Sequence, residues 1–317
     1  MTFVVFGESL VDVATGPTIT ATSTPGGSPM NVAVGLKRLD QEVTLVTHIG
    51  EDDAGAAIRD HLRRNGVAIL ADPASASPTS IAHASIQADG SASYEFSITW
   101  DIDPVQDPAR EAVAAALAVH CGSIATHLQP GSDEVHRHFR NARSHALTSY
   151  DPNCRPSIIG DAAEAVIDVE RFVAESDVIK ASEEDIQWLY PGSDYREVAA
   201  AWLASGAALV VITRGGDGAW CKDADGAVVD VPGIRVNVID TLGAGDSFMA
   251  ALLFGLAERG LVGPGTSRIS GLGESELAVI IRQAVRASAL TCTRPGADPP
   301  TRVELLAAAS DNPVGVR

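Results

Sequence analysis

The chain has 317 residues, 45% hydrophobic and 20% charged, which fits one large or two ordinary globular domains with a sizeable core. Its formal net charge of −18 argues against nucleic acid or an anionic membrane as partner, because both need a basic surface. Any phosphate site must therefore rely on local donors, since the overall field repels anions. Thr2–Phe6 reads as a buried strand ending at Gly7. This start has no basic segment and no long apolar run, so a signal peptide is not expected. No stretch reaches transmembrane length. Cys121, Cys154, Cys221 and Cys292 are far apart with no CxxC, which fits reduced thiols in a cytoplasmic protein.

Glu8 and Asp12 follow the first strand at once. Ligands of open α/β sheets bind beyond the carboxyl ends of strands, so Asp12 is a candidate acceptor for sugar hydroxyls. A loop acid in solvent is the even alternative. Thr15–Thr24, rich in Thr and Pro, is an expected edge strand or flap. In PGGSPMNVAVGLKRLD, Ser28 is the expected N-cap, Pro29 suits the first helical position, and Met30–Leu39 continues as helix. Gly26 and Gly27 allow close backbone approach before it, and Asn31 lies in its first turn. Val43–His48 is the next expected strand, followed by a helix to about Asn65 that Gly66 stops. Ser80–Gln87 and Ser91–Ile98 alternate and meet around Asp89–Gly90, a hairpin pattern suited to a lid. Its Tyr94 and Phe96, with Trp100 just beyond, are placed for a substrate, for lid core or for a dimer contact.

Beyond residue 110 the pattern is regular βαβ. Helices are predicted at Pro108–Leu117, Asp133–Ala142, Ala162–Glu175, Glu183–Tyr190 and Tyr195–Ser205. They alternate with apolar runs at Val119–Ala125, Ala146–Tyr150, Val178–Lys180 and Ala208–Thr213. This predicts a mostly parallel sheet covered on both faces. His136 and His138, two apart on a helix, do not share a face and make no metal site. Val262–Gly273 reads as a Gly/Ser-rich loop, Glu274–Leu290 as helix and Arg294–Pro300 as turn-rich.

Asp240–Phe254, DTLGAGDSFMAALLF, is the stretch with the clearest chemistry. Gly243, Ala244 and Gly245 precede an apolar helix whose first N–H groups lack partners and whose dipole favours anions. Asp246 sits in that same turn, where like charge repels. The placement suits a base that takes a hydroxyl proton as the oxygen attacks phosphate. The plain alternative is a Gly-rich turn with an ordinary first-turn acid. GxxxxGK[ST], GxGxxG after a strand and an HRD loop are all absent, which excludes P-loop enzymes, standard dinucleotide binders and protein kinases by motif.

PGGSPMNVA, DPNCRP, TRGGDGA and DTLGAGDSF, in this order from Gly7 to about Pro299, resemble the ribokinase/PfkB family of carbohydrate kinases. The resemblance implies one ribokinase-like, three-layer α/β/α kinase domain over residues 1–317. A small β-strand lid at about 13–25 and 80–100 would serve for homodimerisation. It implies transfer of a phosphoryl group from MgATP to a sugar hydroxyl. Asp246 would be the base, and the amides of Gly243, Ala244 and Gly245 the anion hole. Asp12, Gly26, Gly27, Asn31 and Phe96 would hold the sugar, with Arg155 near both sugar and phosphate. Thr213, Gly215, Gly216 and Gly218 would form the nucleotide loop, with Lys180, Ala244 and Gly245 also on the cofactor side. The family's Asn-x-x-Glu, linked to magnesium, is replaced by Ser182 and Asp185, so Asp185, Glu183 or Glu184 would serve Mg²⁺. Asp240 and carbonyls of the Arg294–Ala297 turn are candidates for K⁺. GESLVD, CGSIAT, DPNCRP and KASEED are most similar to the fructokinase branch. Ribose, 2-keto-3-deoxygluconate and nucleosides are alternative acceptors, and a non-catalytic sugar sensor is the alternative class.

Overall fold

The computed structural model describes residues 2–16, 22–73, 75–86, 92–263, 269 and 271–310. Strand β1 (Thr2–Phe6) sends Phe3 and Val5 into one apolar cluster and Val4 and Phe6 into another. Side chains alternate along a strand, so a strand apolar at every inner position must be covered on both faces. The chain continues through β2 (Leu10–Thr15), β3 (Thr22–Gly26), α1 (Ser28–Arg38), β4 (Glu42–Val46), α2 (Asp53–Arg64) and β5 (Ala68–Leu70). Then come β6 (Ser80–Ile86), β7 (Ala92–Ser97), α3 (Gln106–Ala114), β8 (Ala118–Gly122), α4 (Gly131–Ala142) and β9 (Leu147–Asp151). These are followed by α5 (Pro156–Ile159), α6 (Ala162–Val173), β10 (Val178–Ser182), α7 (Glu183–Leu189), α8 (Tyr195–Ala204) and β11 (Leu209–Thr213). The described chain closes with β12 (Ala219–Asp223), β13 (Val228–Val231), α9 (Ala244–Ala257), α10 (Glu274–Cys292) and α11 (Arg302–Ser310).

The main sheet runs β13-β12-β11-β10-β9-β8-β1-β4-β5. Its strands are parallel from β11 to β5, and β12 and β13 extend it antiparallel. Helices α1, α2, α9, α10 and α11 supply the apolar side chains on one face, and α3, α4, α6, α7 and α8 those on the other. The result is the three-layer α/β/α arrangement expected from the alternating pattern. Because β1 lies between β4 and β8, the strand order reverses there, and a crevice opens beyond the carboxyl ends. A second sheet, β3-β2-β6-β7, stands at that crevice. It is mixed, since β2 pairs in parallel with β6 while β2–β3 and β6–β7 are antiparallel.

Several expectations are corrected. The alternative of Asp12 as a loop acid falls, since Leu10–Thr15 pairs with β3 and β6 and places it on strand β2. The N-cap of α1 is Gly27, and Ser28 is already helical. The run expected to extend to Ala125 leaves the sheet at Gly122 and closes in a tight turn, Ser123–Thr126. Strands β5, β12 and β13 and helix α11 have no counterpart among the expected elements. The expected turn at Asp89–Gly90, the middle of Thr15–Thr24 and most of Val262–Gly273 lie outside the described residues, as does the side chain of Tyr94. Among the described residues no helix is long and apolar enough to cross a membrane.

Candidate active site

Helix α9 is buried on every side from Asp246 to Ala257, held between α1 and α10. Its apolar sequence gives it no solvent face, so its amino end is fixed by the core. Gly243 precedes it with φ +73°, and a Cβ there would lie 2.6 Å from Ala297 Cβ. Only glycine meets both constraints. No side chain caps this end. The Ala244 N–H closes the turn onto Thr241 O at 3.2 Å, whereas those of Gly243 and Gly245 have no acceptor among the described residues. Partial positive charge therefore faces the cleft.

Asp246, 8% exposed, occupies that mouth. Ser28 Oγ donates to its Oδ1 at 2.6 Å, and Asn31 Nδ2 donates to its Oδ2 at 2.8 Å. Both donors come from the first turn of α1. Close packing makes this possible, since a Cβ on Gly35 would sit 2.7 Å from Ala250 Cβ on α9. The carboxylate is thus oriented from a helix more than 200 residues away in sequence. It lines a cleft of about 810 Å³.

The strand ends converge on this cleft. Glu8 follows β1, Ser123 and Ile124 follow β8, Asn153 and Arg155 follow β9, Ser182 ends β10, and Thr213 ends β11. From the second sheet come Asp12 and Phe96, and from the α1 start Gly27 and Asn31. Ser123 (φ +59°) and Asn153 (φ +39°) hold left-handed backbone, a strain that surrounding structure must sustain and that gathers at functional sites. Burial pushes the Asp12 carboxyl up, only partly opposed by Arg155. Arg155 itself folds onto its own loop, Nη1 donating to Asn153 Oδ1 at 2.8 Å and to Cys154 O at 3.0 Å. Gly26 does not line the cleft; a Cβ there would lie 2.3 Å from Asp12 Oδ2, so it makes room for that acid.

On the opposite side, Thr213, Arg214 and Gly215 line the cleft, and Gly216 and Gly218 do not. Gly216 faces open space, and Gly218 (φ +91°) packs where a Cβ would meet Val231 O at 2.1 Å. Asp185 Oδ1 accepts from Cys154 N at 2.8 Å, and Oδ2 from Ser182 N and Oγ at 2.9 and 2.6 Å. It completes a capping box on α7 and locks the β9 and β10 loops together. Glu183 and Glu184 line the cleft beside it. Asp240 accepts from Leu242 N at 3.0 Å and Gly296 N at 2.8 Å, bonds that hold its carboxyl below the usual range. No group of three or more His, Cys, Asp and Glu forms a metal cage among the described residues.

Sequence reasoning missed Ser28 as a partner of Asp246 and gave Glu8 no role. Glu8 is 3% exposed and accepts from Ala125 N at 3.3 Å. Burial pushes its carboxyl up to about 7, against the lowering effect of backbone and Ser123 hydrogen bonds and of the Arg155 charge. An acid directly after the apolar run Phe3–Phe6 and Gly7 was the available sign. Trp100, a candidate for the substrate or the lid, is buried and donates to Ala125 O at 2.9 Å. It belongs to the body of the fold.

A carboxylate oriented beside unpaired amides at a helix mouth, in a cleft with acids on one side and glycine turns on the other, fits a phosphotransferase on a three-layer α/β scaffold. Residues 3–303 match the family of pfkB carbohydrate kinases, and the chain belongs to that family. It is 31% identical over 265 residues to a fructokinase of Rhizobium leguminosarum bv. trifolii, covering 79% of this chain and 78% of that one. The structure of a fructokinase with bound ATP from Xylella fastidiosa superposes with a TM-score of 0.86 at 25% identity, covering 98% of both chains. A double-mutant fructokinase from Vibrio cholerae O395, bound to fructose, ADP and a potassium ion, gives 0.78 at 25% identity over 96% and 97% of the two chains.

Proposed function

We propose that this carbohydrate kinase is a fructokinase that moves the γ-phosphoryl group of MgATP to a primary hydroxyl of fructose. The carrying observation is the pair of hydrogen bonds from Ser28 and Asn31 that orients Asp246 beside the unpaired amides of Gly243 and Gly245. Asp246 takes the hydroxyl proton as the oxygen attacks, and the amides of the turn stabilise charge on the transferred group. Asp12, Gly27, Asn31 and Phe96 bind the sugar, with Gly26 making room for Asp12. Arg155 swings from its own loop toward the phosphate. Thr213, Gly215, Gly216 and Gly218 shape the nucleotide loop. Glu8 and Asp12 give the sugar end an acidic lining, which suits a neutral polyol better than a keto-acid carrying its own carboxylate. The fructokinase relatives favour the same acceptor.

Mg²⁺ fits the oxygen donors of Glu183 and Glu184 through water, with Asp185 behind them as their cap. This ion usually keeps several waters and arrives with phosphate rather than in a protein cage. Bound there, it neutralises phosphate charge. Asp240 and the carbonyls of the 294–297 turn are the proposed K⁺ surroundings, in line with the potassium ion of the Vibrio structure. The chain acts as one kinase domain whose β3-β2-β6-β7 sheet is the lid and the homodimer contact, so light scattering is expected to give twice the 32.9 kDa chain mass. A monomer at working concentration would remove the dimer.

The deciding experiment is ADP release with MgATP and fructose, ribose, tagatose, 2-keto-3-deoxygluconate or nucleosides, with and without K⁺. Fructose is expected to give the highest kcat/KM. A higher value for another acceptor would reassign the substrate, and sugar binding without turnover on any would leave a sensor.

A further inference from the structure

Lys180 lines the cleft, and the transfer step above does not use its charge. It sits on β10 between Ile179 and Ala181, is 4% exposed at its side chain, and has the buried His120 of β8 close enough to feel its charge. Its Nζ donates to Asp151 Oδ2 at 2.8 Å, and Asp151, at the end of β9, is 1% exposed. The second oxygen of Asp151 has no hydrogen-bond partner among the described residues. Two of the three Nζ donors have no acceptor among the described residues. They lie under the anion turn, since a Cβ on Gly245 would be 3.3 Å from Nζ. A side chain at 245 would crowd the ammonium, and glycine leaves it open.

A buried ion pair is weak support for stability, because desolvation offsets the attraction and apolar residues of like volume do as well. Burial would push the Lys180 ammonium down, yet Asp151, with Asp185 and Asp246, raises it, so it stays charged. We propose that Lys180 is a catalytic residue that donates to a non-bridging oxygen of the transferred phosphoryl group, and that Asp151 is its positioning residue. This rests on the Gly243–Asp246 turn being the transfer site. The sugar oxygen forms a bond to the γ-phosphorus as the bond from phosphorus to the β,γ-bridging oxygen breaks. ADP leaves with that electron pair, and the hydroxyl proton goes to Asp246. Lys180 makes no covalent bond and keeps its proton.

The test compares Lys180→Met with the double variant Lys180→Met/Asp151→Leu. The single change is expected to lower kcat about 10²–10³-fold, with the sugar KM within about threefold, and to lower the melting temperature by stranding Asp151. The double change restores the melting temperature but not kcat. Asp151→Asn, which keeps the ammonium but lowers its pKa, is expected to move the alkaline limb of the kcat profile to lower pH. Wild-type turnover in either protein that carries Lys180→Met, or an unmoved alkaline limb in Asp151→Asn, reduces the pair to a structural contact. Asp246→Asn is the separate control: if it stays active, the transfer site itself is misplaced, whatever Lys180 does.

Discussion

Asp246 shows how a single carboxylate acquires a task. It is buried at a helix mouth, oriented by two donors from α1, and beside amides with no acceptor among the described residues. Replacing it with Asn keeps the volume and removes the carboxylate proposed as the base. Turnover is expected to fall about 10³–10⁴-fold while the melting temperature stays near wild type, measured by steady-state ADP release and thermal unfolding. A collapse of stability of the same size would make the residue structural. Glu8 carries a pH signature. Its folded value of about 7 lies above the ordinary 4.5. The folded state therefore binds more protons than the unfolded state between these values. The associated stability is present below about pH 4.5 and is lost as pH rises through about 7, on the order of 3 kcal/mol. Glu8→Gln is expected to flatten the melting temperature between pH 5 and 8 and to exceed wild type at pH 8. Parallel pH curves for the two proteins would reject this.

At the scale of elements, the site depends on how closely two helices approach. Gly35 on α1 faces Ala250 on α9, leaving no space for a Cβ, and a Cβ on Gly255 would lie 3.0 Å from Ile280 Cγ2 of α10. The α1–α9 contact is what delivers Ser28 and Asn31 to Asp246. Gly35→Val would wedge the helices apart. It is expected to destabilise by about 1–3 kcal/mol and to lower kcat, although residue 35 touches no substrate. Lowered stability with unchanged kcat would show that the first turn of α1 follows Asp246 independently. Helix existence was legible in the sequence here because apolar spacing and Gly27–Pro29 mark the start of α1. The partner of Ser28 was not, because a hydroxyl at a helix start caps locally in most settings. With Gly27 at the capping position, the Ser28 hydroxyl donates to Asp246 instead.

For the whole molecule, a net charge of −18 must coexist with a polyanionic substrate. The repulsion is long-ranged and screened by salt, whereas hydrogen-bond donors such as the α9 amides act at short range and are screened far less. The KM for MgATP is therefore expected to fall about two- to fivefold between roughly 20 and 150 mM monovalent salt, with kcat little changed once K⁺ is constant. A KM that rises over this range would place a net positive field at the cleft mouth. The order of the main sheet brings Glu8, Ser123, Asn153, Ser182 and Thr213, from five separate strand ends, to one crevice. That convergence gives an acidic chain a place where an anion and a hydroxyl can meet.

Periodicity by itself determined the layered α/β class and the late helix with its glycine turn and its acid, and the resemblance of four short motifs pointed to the family. Strand alternation, helical spacing and backbone freedom are local properties that each segment carries with it. Pairing was decided only by tertiary structure: Ser28 and Asn31 with Asp246, Lys180 with Asp151, Asp185 with Cys154, Asp240 with Gly296. The same holds for the short strands β5, β12 and β13 and for Asp12 on β2, which are strands because neighbours complete their hydrogen bonds. A hydrogen bond between distant residues depends on where both backbones end up, and no single stretch of sequence encodes that position.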